Sequence, residues 1–244
     1  YPPLLEKIAG VEGVDARYVF IGNGVSDMMD KLFNAVAVAG TNVLLPAPVF
    51  APYLDINTKF GVESRLYRCD PLTWQPDMAD LESLVDDNTS MILVNSPNNP
   101  TGAVYHRGKL EAVIQLAHET GLERRKRNIA PPCLILDEIY SEHYYDAPPP
   151  DVRPLIEGRE FSWIIFNGAS KSMNVPGLRI GYAVVGGLEK ETLREALYNE
   201  CILPLCVNSI FQEGYLATLC DPAREEYCRA NRARLKRRRD LLLD

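Results

Sequence analysis

Lys171 lies among small and turn-forming residues, directly after the apolar run at residues 162–166. A lysine amine in such a position can act as a nucleophile towards a carbonyl carbon. Loss of surrounding water and a nearby cation such as Arg179 would favour the neutral, reactive amine. A solvated surface lysine is the alternative, and the local sequence alone does not separate the two interpretations.

A second reactive group is the carboxylate of Asp137, in the sequence Asp137-Glu138-Ile139-Tyr140 after the apolar residues 133–136. A carboxylate beside a buried strand needs a partner. A metal ion, a helix N-terminus capped by the side chain, or a protonated ring nitrogen would each supply one. The three histidines are scattered along the chain, so no metal site is predicted.

Two turn-rich segments complete the set. Residues 96–102 contain two prolines, a glycine and the adjacent amides of Asn98 and Asn99, which predicts a rigid turn with exposed donors and acceptors. Residues 21–26, Ile-Gly-Asn-Gly-Val-Ser, open a helix predicted to run to about Ala39. Free N–H groups at such a helix start suit a phosphate, although an ordinary turn and cap would look similar. Asp27 excludes the dinucleotide-binding fingerprint.

The elements between these segments alternate. Apolar runs predict strands at residues 43–45, 62–67, 90–95, 133–136, 162–166 and 180–185. Helical spacing predicts helices near residues 25–36, 78–85 and 110–117, and from about residue 189 onward. This order is typical of an α/β fold with a mainly parallel sheet and helices on both faces. In such sheets ligands bind beyond the carboxyl ends of the strands, where the four reactive segments fall.

Residues 99–102, 137–140 and 170–181 together resemble the class I/II aminotransferases, fold-type-I enzymes that depend on pyridoxal 5′-phosphate (PLP). The motifs Asn-Pro-Thr-Gly, Asp-Glu-Ile-Tyr and Ser-Lys-x-x-x-x-x-Gly-x-Arg-x-Gly occur in the family's order. The resemblance implies a seven-stranded, mainly parallel sheet. It also implies an enzyme that exchanges an amino group between an amino acid and a 2-oxo acid.

The resemblance assigns a role to each matching residue. Lys171 would form the Schiff base with PLP and carry the substrate proton. Asp137 would pair with the pyridinium nitrogen, Tyr140 and Asn99 would bond to the O3′ oxygen, and Phe50 would stack on the ring. The phosphate would be held by Gly24, Val25, Ser26, Ser170 and Arg179. Gly168 departs from the family pattern, since many relatives place a phosphate-binding serine there.

The substrate is left open by the same comparison. Residues 21–26, 45–48 and 98–105 look most like alanine (glutamate–pyruvate) aminotransferases, and residues 171–177 look closer to tyrosine aminotransferases and aminocyclopropane-carboxylate synthases. Alanine and glutamate are the expected substrates. A PLP-dependent lyase and a non-catalytic PLP-binding regulatory domain are the alternatives.

The resemblance also bears on domain organisation. Residues 1–244 are expected to form the PLP-binding large domain. The family's N-terminal segment and C-terminal small domain, which carries the arginine for the substrate α-carboxylate, are expected to be missing. A chain without them should bind PLP but transaminate poorly or not at all. A homodimer is expected, because family active sites lie between subunits.

Composition narrows the class of partner. The chain has 244 residues, 46% of them hydrophobic, and a net charge of −7, which disfavours nucleic acid or an anionic membrane as partner. Six cysteines without a CxxC pair favour free thiols, and the start lacks the pattern of a signal peptide. A cytoplasmic protein is expected, with an organelle not excluded. The basic residues at 123–132 and 232–239 are predicted to be solvated surface.

Overall fold

A single seven-stranded sheet organises the described part of the chain. In this computed structural model, residues 1–202 and 207–243 are described. The strands are β1 (Val19–Gly22), β2 (Asn42–Ala47), β3 (Glu63–Arg68), β4 (Thr89–Asn95), β5 (Cys133–Asp137), β6 (Ser162–Gly168) and β7 (Gly181–Gly187). Their order across the sheet is β1-β7-β6-β5-β4-β2-β3.

The helices lie between and after the strands. They are α1 (Pro2–Glu12), α2 (Val25–Val36), α3 (Pro52–Lys59), α4 (Met78–Leu84), α5 (Arg107–Lys126), α6 (Arg153–Ile156), α7 (Ala169–Ser172), α8 (Lys190–Ile202), α9 (Ser209–Cys220) and α10 (Arg224–Leu243). Short 3-10 helices occupy Ala16–Tyr18 and Pro176–Leu178.

The sheet is mainly parallel. Strands β2, β3, β4, β5 and β6 pair in parallel, whereas β7 runs antiparallel to both of its neighbours, β1 and β6. The predicted α/β class, with a mainly parallel seven-stranded sheet, is therefore confirmed. Because β2, β4, β5 and β6 run the same way, their carboxyl ends meet at one edge.

Alternate side chains of the inner strands pack into two separate cores. Leu134 and Leu136 of β5 face a core that includes residues of α1 and α5, and Ile135 faces a core formed with α2, α3 and α8. All three are fully buried or nearly so. Helices on both faces explain why the strands read as continuous apolar runs rather than as alternating ones.

Helix α2 shows how one apolar stripe fixes an element next to the site. Met28, Met29, Leu32 and Phe33 are almost fully buried along one face. The helix ends at Val36, so the predicted end near Ala39 is wrong. Ala37 is already extended, with φ −70° and ψ 133°, because the chain turns here to enter β2.

The basic segment at residues 123–132 also differs from its prediction as a surface connection. Its first residues form the last turn of α5, and Arg124 is only 3% exposed. The guanidinium donates to the carbonyl oxygens of Thr89 (2.7 Å), Ala130 (3.1 Å) and Asp86. It thereby ties the end of α5 to the start of β4, a role that a run of basic letters does not reveal.

The basic run on α10 is partly solvated and partly packed. Arg232 lies over the Tyr144 ring and pairs with Glu142, and Arg239 lies over the Tyr145 ring.

The cysteines at 69, 133, 201, 220 and 228 are free thiols, and Cys206 lies outside the described residues. Within residues 1–202 and 207–243, no helix combines the length and apolar character needed to cross a bilayer.

Replacing Arg124 should destabilise the fold strongly. Arg124→Met would leave buried carbonyl oxygens without donors, so we expect a loss of about 3 kcal/mol in the free energy of unfolding. Urea denaturation measures it. Lys126→Met, which changes an exposed cation of the same helix end, should cost less than about 0.5 kcal/mol. Equal losses for the two variants would show that the buried contacts of Arg124 contribute little.

Candidate functional site

A cavity of about 150 Å³ lies at the carboxyl edge of the sheet. Of the ten residues predicted to form the site, nine line this cavity, and Gly24 lies directly behind Arg179. The nine are Val25, Ser26, Phe50, Asn99, Asp137, Tyr140, Ser170, Lys171 and Arg179. The fold therefore brings together residues that are separated by more than 150 positions in the sequence.

Lys171 lies on the single turn of α7, which follows β6 without a loop. Its Nζ is 5.4 Å from the centroid of the Tyr140 ring, so the amine faces the aromatic wall of the cavity. The preceding Gly168 has no room for a side chain, since a Cβ there would lie 2.6 Å from the Ile180 carbonyl oxygen. A serine at this position would need the β6–β7 edge to move.

Asp137 ends β5 and is only 4% exposed. Its Oδ2 accepts a hydrogen bond from the Tyr53 hydroxyl (3.1 Å), and its Oδ1 accepts one from the Ile139 N–H (3.1 Å). Burial raises the pKa of the Asp137 carboxyl to about 6, and these two hydrogen bonds act in the opposite direction. No helix starts here, so the alternative of a helix cap is wrong.

The loop that carries Asn99 is fixed by the last residue of β4. Asn95 is 1% exposed, accepts the Asn99 N–H at Oδ1 (2.8 Å) and donates to the Asp137 carbonyl oxygen (3.3 Å). One buried amide therefore sets the spacing between the Asn99 loop and the end of β5. The Asn99 side chain lines the cavity beside Tyr140.

The other end of the cavity is rich in hydrogen-bond donors. Helix α2 begins there with Val25 and Ser26, after Gly24 in a left-handed backbone conformation (φ 92°). The Arg179 guanidinium donates to the carbonyl oxygens of Asn23 (3.0 Å) and Pro176 (3.1 Å). Arg179 has no carboxylate partner in the described part of the chain, so its charge is available to an anion.

Close backbone approach holds this end together. A Cβ at Gly24 would lie 2.5 Å from Nη2 of Arg179, and a Cβ at Gly181 would lie 2.3 Å from the Val25 nitrogen. The start of β7 can touch the start of α2 because position 181 is glycine, and Gly24 leaves room for the Arg179 guanidinium. Helix start and guanidinium therefore form one donor surface.

Sequence reasoning missed several residues of the site. Tyr53 donates to Asp137, and Asn95 anchors the Asn99 loop. The cavity is also lined by Met29, Ile139 and Pro176. Tyr53 lies three residues after Phe50 and donates its N–H to the Phe50 carbonyl oxygen (3.0 Å), and this short spacing is a signal available in the sequence. Asn95 is a polar residue that closes an apolar strand, another available signal.

A wider groove of about 690 Å³ adjoins the cavity and shares Asn99 and Tyr140 with it. It runs between residues 97–107 and residues 143–150 towards Arg232 and Leu235 of α10. It does not include Lys171 or Asp137. Among the residues described, no group of three or more His, Cys, Asp or Glu side chains is arranged to hold a metal ion.

Comparison with known proteins agrees with this geometry. The family model described as aminotransferase class I and II matches residues 4–244. The alanine aminotransferase of Mycobacterium tuberculosis is 33% identical over 186 residues, which are 75% of this chain and 40% of that protein. The glutamate-pyruvate aminotransferase AlaA of Escherichia coli K12 is 30% identical over 203 residues, 82% of this chain and 47% of that protein.

Solved structures show the same fold. The alanine aminotransferase from Pyrococcus furiosus superimposes with a TM-score of 0.86 and 28% identity, covering 99% of this chain and 60% of that one. The aspartate aminotransferase from Thermus thermophilus with maleate superimposes with a TM-score of 0.86 and 26% identity. The match covers 99% of this chain and 61% of that one. The chain thus spans less than half the length of these curated relatives and about 60% of these solved chains.

The raised pKa of Asp137 predicts a stability that falls with rising pH. The folded chain binds this proton more tightly than the unfolded chain, whose aspartates titrate near about 3.9. The free energy of unfolding should therefore decrease between about pH 4 and pH 6. Asp137→Asn lacks this proton, so its stability relative to the parent should rise over that range by up to about 3 kcal/mol.

Urea unfolding without added ligand, at several pH values between about 4 and 8, measures this trend. Asp55→Asn, an exposed change on α3, controls for the loss of a surface carboxylate. A stability difference between Asp137→Asn and the parent that does not vary with pH would contradict the prediction.

Proposed function

Because the chain belongs to the class I and II aminotransferases, we propose that it binds PLP and transfers an amino group between an amino acid and a 2-oxo acid through Lys171. The observation that carries the proposal is the shared cavity. It combines a lysine amine, a buried carboxylate and an anion-binding helix start within one space.

The donor set fits PLP at both ends. Asp137 is a buried carboxylate whose contacts in the described structure are neutral donors, so a protonated ring nitrogen would supply the missing positive partner. Arg179 and the first N–H groups of α2 suit the phosphate dianion. Phe50 lies on the cavity wall, edge-on to Tyr53, where it would cover a ring face.

When bound, PLP supplies an electron sink for the bonds at the substrate α-carbon. Asp137 would hold the protonated ring nitrogen, and Tyr140 and Asn99 would donate to the O3′ oxygen. Lys171 would anchor the cofactor, and its free amine would accept the proton of the substrate α-carbon.

Alanine and glutamate are the substrates we propose, with pyruvate and 2-oxoglutarate as the 2-oxo acids. The names of the Mycobacterium tuberculosis and Escherichia coli relatives support this choice. We also propose that residues 1–244 supply the cofactor-binding large domain, which the coverage of about 60% of the solved chains supports. A homodimer, general in the family, completes the proposal.

Lys171→Ala tests the covalent step. PLP added to the parent chain should give visible imine absorbance, and borohydride should fix the cofactor on Lys171 as an amine detected by peptide mass. The variant should show neither signal. Lys190→Ala, an exposed lysine of α8, should behave like the parent. Cofactor fixed on another lysine of the parent would contradict the assignment.

The same preparation tests the reaction class. A transaminase loaded with PLP should release pyruvate when L-alanine is added and retain the amino group on the cofactor. Free ammonia appearing with pyruvate would instead indicate a lyase. Because residues 1–244 alone are expected to transaminate poorly, slow release of pyruvate agrees with the proposal, whereas a chain that forms no imine with PLP would contradict it.

Arg179→Gln tests the phosphate end. Loss of a charge-assisted contact should weaken PLP binding about tenfold to a hundredfold. Binding of pyridoxal, which has no phosphate, should change by less than about twofold, because in the proposal Arg179 contacts the phosphate and not the ring. Absorbance titration measures both constants, and Arg237→Gln on exposed α10 is the matched control. Equal weakening of PLP and pyridoxal would contradict the role.

A further inference from the structure

Four polar side chains meet behind the end of β5, on the sheet face opposite to the cavity. They are Glu12, at the end of α1, Glu138, directly after β5, Arg153, at the start of α6, and Tyr182 of β7. The proposed reaction uses none of them. We call them the rear cluster.

Arg153 is the centre of the rear cluster. Its guanidinium donates to Glu138 Oε2 (3.0 Å) and, from Nε, to Glu12 Oε2 (3.0 Å), and Nη2 also contacts Glu12. The Tyr182 hydroxyl donates to the other oxygen of Glu12 (2.7 Å). One guanidinium therefore joins α1 to the turn that follows β5.

Burial makes this arrangement specific. Glu12 is 4% exposed and Glu138 is 9% exposed, so both carboxylates have lost most of their water. Burial raises the pKa of Glu138 to about 7, and Arg153 acts in the opposite direction. Two buried carboxylates that share one guanidinium need a precise geometry to offset their desolvation.

The cluster lies one residue from the cofactor carboxylate. Because side chains alternate along a strand, Asp137 points to the cavity and Glu138 to the rear. The Glu138 backbone also shapes the turn, since its N–H donates to Phe166 and its carbonyl oxygen accepts the Ser141 N–H. Movement of Glu138 would therefore move Asp137 and Tyr140 together.

We propose that Glu138 and Arg153 are positioning residues, which hold Asp137 against the ring nitrogen of PLP by anchoring the β5 turn to α1. This role rests on the proposed function. It concerns the ring end of the cavity, because the donor surface for the phosphate is built from α2 and Arg179 instead. A contact to the ring nitrogen tolerates an error of only about 0.5 Å.

Glu138→Ala is the main test, because Arg153 keeps Glu12 and Asp151 as partners and no buried charge is left alone. At about pH 8, above the pKa of Glu138, we expect the dissociation constant of PLP to rise about tenfold. Residues that orient metal ligands have effects of about this size on metal affinity. The inhibition constant of inorganic phosphate, competing for the phosphate end, should change by less than about twofold.

Two further variants separate positioning from general loosening. Glu138→Gln keeps an oxygen that accepts from Arg153, so PLP affinity should return to within about threefold of the parent. Glu160→Ala also removes a carboxylate that pairs with an arginine, Arg125. Glu160 lies just before the start of β6, far from the carboxyl ends of the strands, so its loss should leave PLP affinity unchanged. Melting temperatures without PLP show whether each variant is folded.

The outcomes are distinct. A dissociation constant for Glu138→Ala within twofold of the parent would overturn the positioning role. So would equal weakening of PLP and phosphate, or failure of Glu138→Gln to recover affinity in a folded chain. A parent chain that forms no imine with PLP would overturn the proposed function and this role with it.

Discussion

The burial of one carboxylate sets the terms for the rest of the site. Asp137 lies at the end of a central strand, where two neutral donors, Tyr53 and the Ile139 N–H, are its hydrogen-bond partners in the described structure. Neutral donors only partly replace the water that the carboxylate has lost, which is why its pKa is raised. The carboxylate stays buried despite the free-energy cost of its desolvation, because pairing with β4 and β6 fixes β5 on both sides.

A second constraint acts at the other end of the cavity. There the chain brings β6, β7 and α2 into backbone contact, which requires glycine at 168 and 181, and Gly24 leaves room for the Arg179 guanidinium. The same approach directs the first N–H groups of α2 and the Arg179 guanidinium to one side. This donor surface and the Asp137 carboxylate at the end of β5 line the same cavity.

The sequence predicted the local parts of this arrangement well and the long-range parts poorly. The apolar runs at residues 90–95, 133–136 and 162–166 became β4, β5 and β6, because strands covered on both faces must be apolar throughout. The antiparallel direction of β7 and the buried role of Arg124 were missed, since they depend on partners far away in sequence. Asn95 and Tyr53 were missed for the same reason. Asn95 anchors the Asn99 loop and Tyr53 donates to the Asp137 carboxylate, and both contacts depend on the fold.

The alternation of side chains across β5 separates two needs that would otherwise conflict. The turn after β5 is anchored by a guanidinium, yet a guanidinium beside Asp137 would satisfy that carboxylate and compete with a protonated ring nitrogen. Arg153 bonds to Glu138 and Glu12 on the rear face, and Asp137 faces neutral donors on the other. A shift of one residue in the strand would exchange these two environments, so the register of β5 against β4 and β6 decides which carboxylate faces the cavity.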